Sequence, residues 1–359
     1  MDTPSSSACP GLLSLARPLF ETPPPAVSPD DAVRMAREVY GMEVSVKRLS
    51  GERDTNYRLT ASDGSRWVLK LINPIEPDDD ADMQVRVLDH LAPQSLELAL
   101  PLPRLTLDGA AIFRLTLPSG EAVRGRCYSY VEGEPALLHP VTDRLRRSVG
   151  RTVALVGKGL QGFQHPAMGR LNLWDLCKIG HLDELMVHQH DPQIIAMLSA
   201  VMERFRREVH PRLSSLRQQV IHNDLSRTNT VVSPTDPEQI CGVLDFGDMI
   251  YGPLLSELAV AASYQLELED PLRALKIVVA GFVEVTPLLP EECALLMDFL
   301  LARLVGRILI SQWRAEQFPD NKDYILRSNM EAQSLLTRLF PLWQQTPEEA
   351  WQGLLLPDA

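Results

Sequence analysis

The sequence predicts an α+β protein of two lobes, a β-rich N-terminal lobe with one main helix and a larger, mostly helical C-terminal lobe. Apolar residues recur with a period of two through much of the first part of the chain, and their spacing becomes helical beyond Gly133. The 359 residues are enough for two compact units. We therefore expect a leader over residues 1–29, an N-terminal lobe over 30–131 and a C-terminal lobe over 132–359.

The elements of the N-terminal lobe follow from this spacing. The Ser- and Pro-rich leader is expected to be flexible or extended, and Ser28–Asp31 indicates the start of a first helix. Asp63-Gly64 predicts a hairpin turn between two strands. The predicted strands and the main helix are Val44–Leu49, Asn56–Ala61, Arg66–Ile72, helix Asp79–Leu91, Ile112–Leu117 and Glu121–Val131.

The C-terminal lobe is predicted to consist of helices around a short β segment, Gln219–Asp248. Within this segment, Thr230–Ser233 and Ile240–Leu244 are β-branched or apolar runs separated by a turn-forming stretch, which predicts a hairpin. The predicted helices are Asp143–Gly157, Pro192–Arg217, Pro253–Glu267, Pro271–Val285, Glu291–Gln317 and Lys322–Trp343.

Composition and charge argue against several functional classes. Lysine and arginine total 35 and aspartate and glutamate total 47, so the formal charge is −12, which disfavours a general binder of nucleic acid or of an anionic membrane. No apolar run reaches the length of a membrane span. The five cysteines include no Cys-x-x-Cys pair, which is neither a disulfide framework nor a zinc pattern and indicates a reducing cytoplasm.

One segment carries the chemistry, His222–Asn229 followed by Val243–Asp248. In an antiparallel hairpin the residue that enters the first strand lies beside the residue that leaves the second, so we expect Asn229 and Asp245 to meet at the open end. An amide oxygen and a carboxylate suit Mg²⁺ as ligands. Asp224, on the loop before the first strand, can face the same point. A cation, two ligands and a free carboxylate are the parts that phosphoryl transfer requires.

The paired motif, His-x-Asp-x-x-x-x-Asn followed by Asp-Phe-Gly, resembles the small-molecule kinases of the aminoglycoside phosphotransferase and choline kinase superfamily. The resemblance runs from about Asp31 to Trp343 and implies a protein-kinase-like fold with a nucleotide-binding N-terminal lobe and a catalytic and substrate-binding C-terminal lobe. Within the superfamily the chain is most similar to hydroxylysine kinase and its bacterial relatives. The strings that carry this closer similarity are Gly51-Glu52-Arg53-Asp54-Thr55-Asn56-Tyr57, Trp67-Val68-Leu69-Lys70, Leu244-Asp245-Phe246-Gly247-Asp248-Met249, Ala280-Gly281-Phe282, Thr286-Pro287-Leu288 and Pro319-Asp320-Asn321-Lys322-Asp323-Tyr324.

The resemblance implies a role for each residue of the motif. Asp224 would be the catalytic base that accepts the proton of the acceptor hydroxyl, and Asn229 and Asp245 would hold Mg²⁺ against the nucleotide phosphates. Lys70 also has support from the pattern itself. The alternation in Trp67–Ile72 places its ammonium among apolar neighbours, where a nucleotide phosphate is the natural partner.

Two further features of nucleotide binding are implied by position. Kinase-like folds pair this lysine with a glutamate on the following helix, and the register places Gln84 there, with Asp82 nearby as the alternative. The phosphate-covering turn contains a single glycine, and Arg53 and Asn56 beside it are the residues that could contact phosphates, although a solvated hairpin tip is an equal alternative.

The connection between the lobes is expected to hold the nucleotide base through backbone groups, at Ser129 and Val131, so the donor stays open between ATP and GTP. A protein substrate is disfavoured. Asn223 stands where protein kinases carry arginine, and the predicted helix Pro253–Glu267 follows too soon for an activation loop.

The acceptor is therefore expected to be a small hydroxylated amine or amino acid, hydroxylysine-like first. Aminoglycoside, choline, ethanolamine and homoserine remain alternative acceptors, and a nucleotide-binding pseudokinase without turnover is the alternative to an enzyme. An ammonium and a carboxylate on the acceptor call for acidic groups and one arginine. The candidate contacts are Trp174, Asp175, Asp248, Arg307 and Asp323.

Overall fold

A computed structural model describes residues 12–51, 53–319 and 322–356. Residues 1–11 of the predicted leader lie outside these ranges, as do Glu52, Asp320 and Asn321 of the strings quoted above. In the described part an antiparallel sheet lobe precedes a mostly helical lobe, which confirms the predicted α+β class.

The N-terminal lobe is a single antiparallel sheet with helices around it. The elements up to Ser129, in chain order, are helices α1 (Leu12–Glu21) and α2 (Pro29–Tyr40), strands β1 (Val44–Leu49), β2 (Thr55–Ala61) and β3 (Arg66–Ile72), helix α3 (Asp78–Leu91), and strands β4 (Pro103–Arg104), β5 (Phe113–Thr116) and β6 (Ala122–Ser129). Of these, α1 contacts the C-terminal lobe, where the Leu13 N–H donates to Glu184 Oε1. The sheet order is β1-β2-β3-β6-β4, and β5 also pairs with β6. Lys70 on β3 lies between Asn56 on β2 and Arg126 on β6.

Helix α2 closes one face of this sheet. Ser28 caps the helix and forms a reciprocal capping box with Asp31, as the start predicted at Ser28–Asp31 requires. Successive side chains of a strand point to opposite faces of the sheet, so alternate residues of the strands face α2. The buried residues of α2 pack against them. This cluster includes Ala32, Met35, Ala36, Tyr40, Tyr57, Leu59, Leu69 and Leu71.

The described part of the leader differs from the flexible or extended segment predicted over 1–29. Leu12–Glu21 form a helix whose Leu13 is buried. The stretch after this helix lies against β2, and its carbonyl groups accept hydrogen bonds from two buried hydroxyls of that strand. Thr55 Oγ1 donates to the carbonyl of Pro25 at 2.7 Å, and the Tyr57 hydroxyl donates to the carbonyl of Val27 at 2.6 Å.

The C-terminal lobe is mostly helical, and its long helix α8 packs against several of the others. Its elements in chain order are strand β7 (Glu134–Pro135), helices α4 (Asp143–Leu160) and α5 (Pro192–Arg204), strands β8 (Gln218–Ile221), β9 (Thr230–Ser233), β10 (Asp236–Val243) and β11 (Ile250–Pro253), and helices α6 (Leu254–Ser263), α7 (Pro271–Val283), α8 (Pro290–Gln317), α9 (Lys322–Gln345) and α10 (Ala350–Leu355). Most of α8 is buried, including Arg303 and Arg307. No helix in the described ranges is long and apolar enough to cross a membrane.

Two predicted helices are too long, and the one predicted over Pro253–Glu267 ends at Ser263. The helix predicted over Pro192–Arg217 ends as an α-helix at Arg204 and continues as a π-helical turn, Phe205–Val209, and a 3₁₀ turn, His210–Ser215. Pro211 explains the change, because proline has no N–H for the helical hydrogen bond and its ring crowds the preceding turn.

The predicted hairpin is present and joins the lobes. Strands β9 and β10 pair antiparallel, with Thr230 opposite Val243, and the Leu244 N–H donates to the Asn229 carbonyl at 2.8 Å. Ala99, in the loop before β4, donates its N–H to the carbonyl of Cys241 at 2.7 Å. The hairpin, which belongs to the C-terminal lobe, is therefore also hydrogen-bonded to the N-terminal lobe.

Candidate active site

The loop between β8 and β9 is held by a buried carboxylate. Glu257 on α6 is fully buried and accepts the backbone N–H groups of His222 and Asn223. Asp224 donates its N–H to His222 Nδ1 at 3.3 Å, so Nε2 carries the proton and donates to the carbonyl of Leu244 at 2.9 Å. His222 therefore positions the loop against the hairpin, and burial raises the pKa of Glu257.

Asp224 lies at the centre of the site. Its Oδ2 accepts a hydrogen bond from Asn229 Nδ2 at 2.7 Å, and its Oδ1 lies 3.6 Å from Nη2 of Arg303 on α8. Burial raises the pKa of Asp224 to about 7, with Arg303 opposing the rise. A carboxylate with this pKa can accept a proton from a bound hydroxyl near neutral pH.

Asp245 and Lys70 meet where the two lobes face each other. Lys70 Nζ lies 3.2 Å from Asp245 Oδ1 and 3.1 Å from Asp54 Oδ2. Burial disfavours the ammonium, but the two carboxylates outweigh it, so the pKa of Lys70 is raised. The same ammonium, with Arg53, holds the pKa of Asp245 well below its ordinary value. Both groups are thus charged and matched to a bound phosphate and a cation.

Asn229 and Asp245 could hold a divalent cation between them. The register of the hairpin brings their backbones side by side, as predicted. Asn229 turns its Nδ2 toward Asp224, which leaves its amide oxygen for a ligand, and the Asp245 side chain is half exposed. Among the described residues no three acidic, histidine or cysteine side chains enclose an ion. A cation here would have few protein ligands and take the rest from water and phosphate, which suits Mg²⁺.

Asp245 needs an unusual backbone to reach this position. Its φ of 55° is left-handed, and its Oδ1 accepts the N–H of Gly247 at 3.2 Å. A Cβ at Gly247 would lie 2.9 Å from that oxygen. The aspartate and the glycine two residues later are therefore required together by this turn.

The prediction that Gln84 or Asp82 partners Lys70 is wrong. Gln84 Oε1 accepts from Arg126 Nη2, because Arg126 is the fully buried neighbour of Lys70 across the β3–β6 pair and faces α3. Asp82 instead pairs with Arg86 and His165. The neutral Gln84 suffices beside Arg126 because the Glu76 carboxylate, 3.7 Å from Arg126, balances the charge of the guanidinium.

Asp54 is the residue that sequence reasoning missed. It lies just before β2, and the β2–β3 register pairs Thr55 with Leu71 and Asn56 with Lys70, which brings Asp54 beside the lysine. Asp54 Oδ1 also accepts the N–H of Asn73 at 2.8 Å, so its carboxylate is fixed. Counting back from the turn at Asp63-Gly64 would have found it.

Of the predicted phosphate contacts, Arg53 lies in the turn between β1 and β2, and Asn56 is the second residue of β2. Arg53 Nη2 lies 3.0 Å from Asp248 Oδ1, which connects this turn to the loop after Asp245. Asn56 Nδ2 donates to the carbonyl of Ser50 at 3.4 Å, and its Oδ1 is buried without a partner in the described residues. Arg53 therefore reaches the site, and contact of either residue with phosphate stays a prediction.

Ser129 is the last residue of β6, and Val131 follows it in the segment that leads to β7. The Ser129 hydroxyl accepts the N–H of Leu102 at 2.9 Å, and the backbone N–H of Ser129 donates to the Leu102 carbonyl at 2.8 Å. Val131 is largely buried, and no hydrogen bond from the described part of the chain engages its N–H. Val131 can thus offer a backbone donor to a base.

The candidate acceptor contacts separate into two groups. Trp174 lies at the site, with its ring against Arg303, and Asp248 is held there by Arg53 and Asn172. The other three have structural partners or lie elsewhere. Asp175 caps a 3₁₀ helix and pairs with Lys178, Arg307 pairs with Glu331 on α9, and Asp323 is exposed in the first turn of α9.

The arginine that approaches Asp224 is Arg303, one helical turn before the predicted Arg307. Both interrupt the same apolar run and lie on the same helix face, so the sequence could not distinguish them. Arg307 differs in its partners, since it donates to the carbonyls of Ser263 and Ser328 as well as to Glu331. The prediction of Arg307 as the substrate arginine is therefore corrected to Arg303 as the arginine beside the base.

The chain is similar to known small-molecule kinases. The hydroxylysine kinase of Mus musculus is 26% identical over 351 residues, covering 91% of this chain and 93% of its own. Among solved structures, a microcompartment-associated aminopropanol kinase superposes with a TM-score of 0.68 at 18% identity, covering 87% of this chain and 97% of its own. An amicoumacin kinase in complex with AMP-PNP, Ca²⁺ and Ami gives a TM-score of 0.64 at 16% identity, covering 90% and 96%.

These likenesses confirm the protein-kinase-like fold that the motif implied. Residues 45–293, more than half of the chain, match the phosphotransferase enzyme family, and the match contains Lys70, Asp224, Asn229 and Asp245. The chain belongs to the phosphotransferase enzyme family.

Proposed function

We propose that this protein transfers the γ-phosphoryl group of ATP or GTP to a hydroxyl of a small amine or amino acid, with hydroxylysine as the first candidate. The observation that carries the proposal is Asp224, a buried carboxylate beside the predicted cation ligand Asn229, across the site from Lys70 and Asp245. The named relatives, a hydroxylysine kinase and an aminopropanol kinase, favour a small hydroxylated amine as acceptor. The free thiols of Cys127, Cys177, Cys241 and Cys293 support a reducing cytoplasm as its location.

Each residue has one task in this reaction. Lys70, held by Asp54, binds the phosphates, and Asn229 and Asp245 hold Mg²⁺. Mg²⁺, when bound, neutralises charge on the phosphates and on the leaving group. The oxygen of the acceptor hydroxyl bonds to the γ-phosphorus, and Asp224 accepts the proton of that hydroxyl. The bond between the γ-phosphorus and the oxygen that bridges it to the β-phosphate breaks, and the nucleoside diphosphate leaves.

The short connection after the site favours a small acceptor over a protein. The chain passes from the turn at Asp245 directly into β11 at Ile250, which pairs with β8, and α6 begins at Leu254. This leaves no segment on which a peptide substrate could dock in the manner of protein kinases.

The proposal is tested with purified protein, Mg²⁺, each nucleotide and a panel of acceptors: hydroxylysine, homoserine, ethanolamine, choline, aminopropanol and aminoglycosides. We expect acceptor-dependent release of nucleoside diphosphate and a phosphorylated product. Thermal stabilisation by Mg²⁺–nucleotide without turnover of any acceptor would instead identify a pseudokinase.

Asp54→Asn is expected to raise the KM for nucleotide by about tenfold, because Lys70 loses one of the two carboxylates that orient its ammonium. Asp82→Asn is the matched control, since it removes an aspartate from α3 that pairs only with Arg86 and His165 among the described residues. Steady-state kinetics with varied nucleotide measure both. Equal effects of the two substitutions would contradict the assignment of Asp54.

A further inference from the structure

Arg303 is a buried cation with unused hydrogen-bonding capacity. Its side chain is only 3% exposed, and Nη2 donates to the Tyr264 hydroxyl at 2.7 Å. Nε and Nη1 have no hydrogen-bond partner among the described residues. A buried donor without an acceptor costs free energy, so native proteins rarely retain one without a functional reason.

The charges near Arg303 do not fill this need. Asp224 Oδ1 is 3.6 Å from Nη2, beyond hydrogen-bonding distance, and Asp224 Oδ2 is taken by Asn229. Asp248, the next carboxylate, pairs with Arg53. Arg307, one turn along α8, shows the contrast: its guanidinium has two carbonyl acceptors and the Glu331 carboxylate. Of this pair only Arg303 has buried nitrogens without a hydrogen-bond partner among the described residues, and it lies beside the base.

Two aromatic rings hold the guanidinium in place. Its Cζ lies 4.8 Å from the centre of the Trp174 ring and 5.5 Å from that of Tyr264. Aromatic faces of this kind bind the ammonium group of ligands in other proteins. Here the protein's own cation occupies them, so this part of the site offers positive charge and favours an anionic group of the acceptor.

We propose that Arg303 binds a carboxylate of the acceptor, which makes the acceptor a hydroxylated amino acid rather than an amino alcohol or a quaternary amine. This inference rests on the proposed phosphoryl transfer to a hydroxyl, because it assumes that the acceptor lies against Asp224. The carboxylate accepts from the spare N–H groups of Arg303 while the hydroxyl faces Asp224.

The test uses pairs of acceptors that differ only in the carboxylate: serine with ethanolamine, homoserine with 3-aminopropanol, and hydroxylysine with its decarboxylated amino alcohol. We expect wild-type kcat/KM to favour the acid by about 10- to 100-fold, the effect of a charge-assisted hydrogen bond. Arg303→Gln is expected to abolish this preference by lowering kcat/KM for the acid, and Arg303→Lys to retain part of it.

Arg307→Lys is the control, a buried arginine on the same helix whose Nη1 and Nη2 already donate to protein acceptors. It is expected to leave the acid-to-amine ratio unchanged. If Arg303 served only as the counter-ion of Asp224, its substitution would lower kcat/KM equally for both members of a pair. That outcome, or a wild-type enzyme that shows no preference for the acid, overturns the inference.

Binding of unreactive analogues separates this inference from the proposed function. Calorimetry with lysine and cadaverine, in the presence of Mg²⁺ and AMP-PNP, measures carboxylate recognition without chemistry. Selective binding of lysine that Arg303→Gln removes, without turnover of any acceptor, would support the carboxylate site and contradict phosphoryl transfer. Turnover without a preference for the acid would support phosphoryl transfer and contradict the carboxylate site. Equal binding of lysine and cadaverine, without turnover of any acceptor, would contradict both proposals.

Discussion

Asp224→Asn is expected to lower kcat by about 10²- to 10⁴-fold while the affinity for Mg²⁺–nucleotide stays close to that of the wild type. The asparagine keeps an oxygen for Asn229 Nδ2, so the loop geometry is retained, but it cannot accept the proton of the acceptor hydroxyl. Steady-state kinetics measure kcat, and calorimetry with nucleotide measures binding.

Asp89→Asn, which changes an exposed aspartate on α3, is the control for Asp224→Asn and is expected to retain wild-type kcat. A kcat for Asp224→Asn equal to that of the wild type would remove the assigned base. A loss of nucleotide binding along with kcat would assign Asp224 to the nucleotide site instead.

Asp224→Asn is also expected to stabilise the fold at pH 8, by about 1–3 kcal/mol in the free energy of unfolding. Burial raises the pKa of Asp224 from 3.8 to about 7, so the folded state disfavours its charged form. As pH rises from about 4 to 7, the unfolded carboxyl ionises before the folded one, and the wild type loses stability. Unfolding experiments should therefore show a gain for Asp224→Asn that grows over this window and is constant above it.

The catalytic hairpin could be predicted because local rules determine it. Two β-branched runs and a turn-forming stretch fix an antiparallel register, and that register alone brings Asn229 beside Asp245. The placement of Lys70 on the face of β3 opposite the buried Leu69 and Leu71 followed from strand alternation in the same way. Residues whose placement depends on neighbours in sequence were the ones that sequence reasoning placed correctly.

The partners of these residues could not be predicted, because they depend on how helices are rotated against the sheet. Gln84 lies where the kinase pattern expects the partner of Lys70, but the buried Arg126 on β6 takes its amide oxygen, and Asp54 takes the lysine. On α8, Arg303 and Arg307 lie one turn apart on one face, and only the packing of Trp174 and α9 separates their roles.

Asp245→Asn is expected to lower turnover by about 10³-fold or more and to remove the dependence of nucleotide binding on Mg²⁺. Asparagine tolerates the left-handed backbone at this position, where φ is 55°, so the turn before Gly247 is retained. What is lost is the negative charge that Lys70 and a cation share. Nucleotide affinity measured with and without Mg²⁺ reports this directly.

Comparison with Asp54→Asn separates the two functions of Asp245. Asp245→Asn leaves Lys70 with only the Asp54 carboxylate, and Asp54→Asn leaves it with only that of Asp245. Both substitutions therefore weaken the positioning of the ammonium. Only Asp245→Asn removes a cation ligand, and we expect Asp54→Asn to keep tighter nucleotide binding in Mg²⁺ than without it. If both variants kept the Mg²⁺ dependence, Asp245 would serve as a counter-ion of Lys70, and the cation would need other ligands.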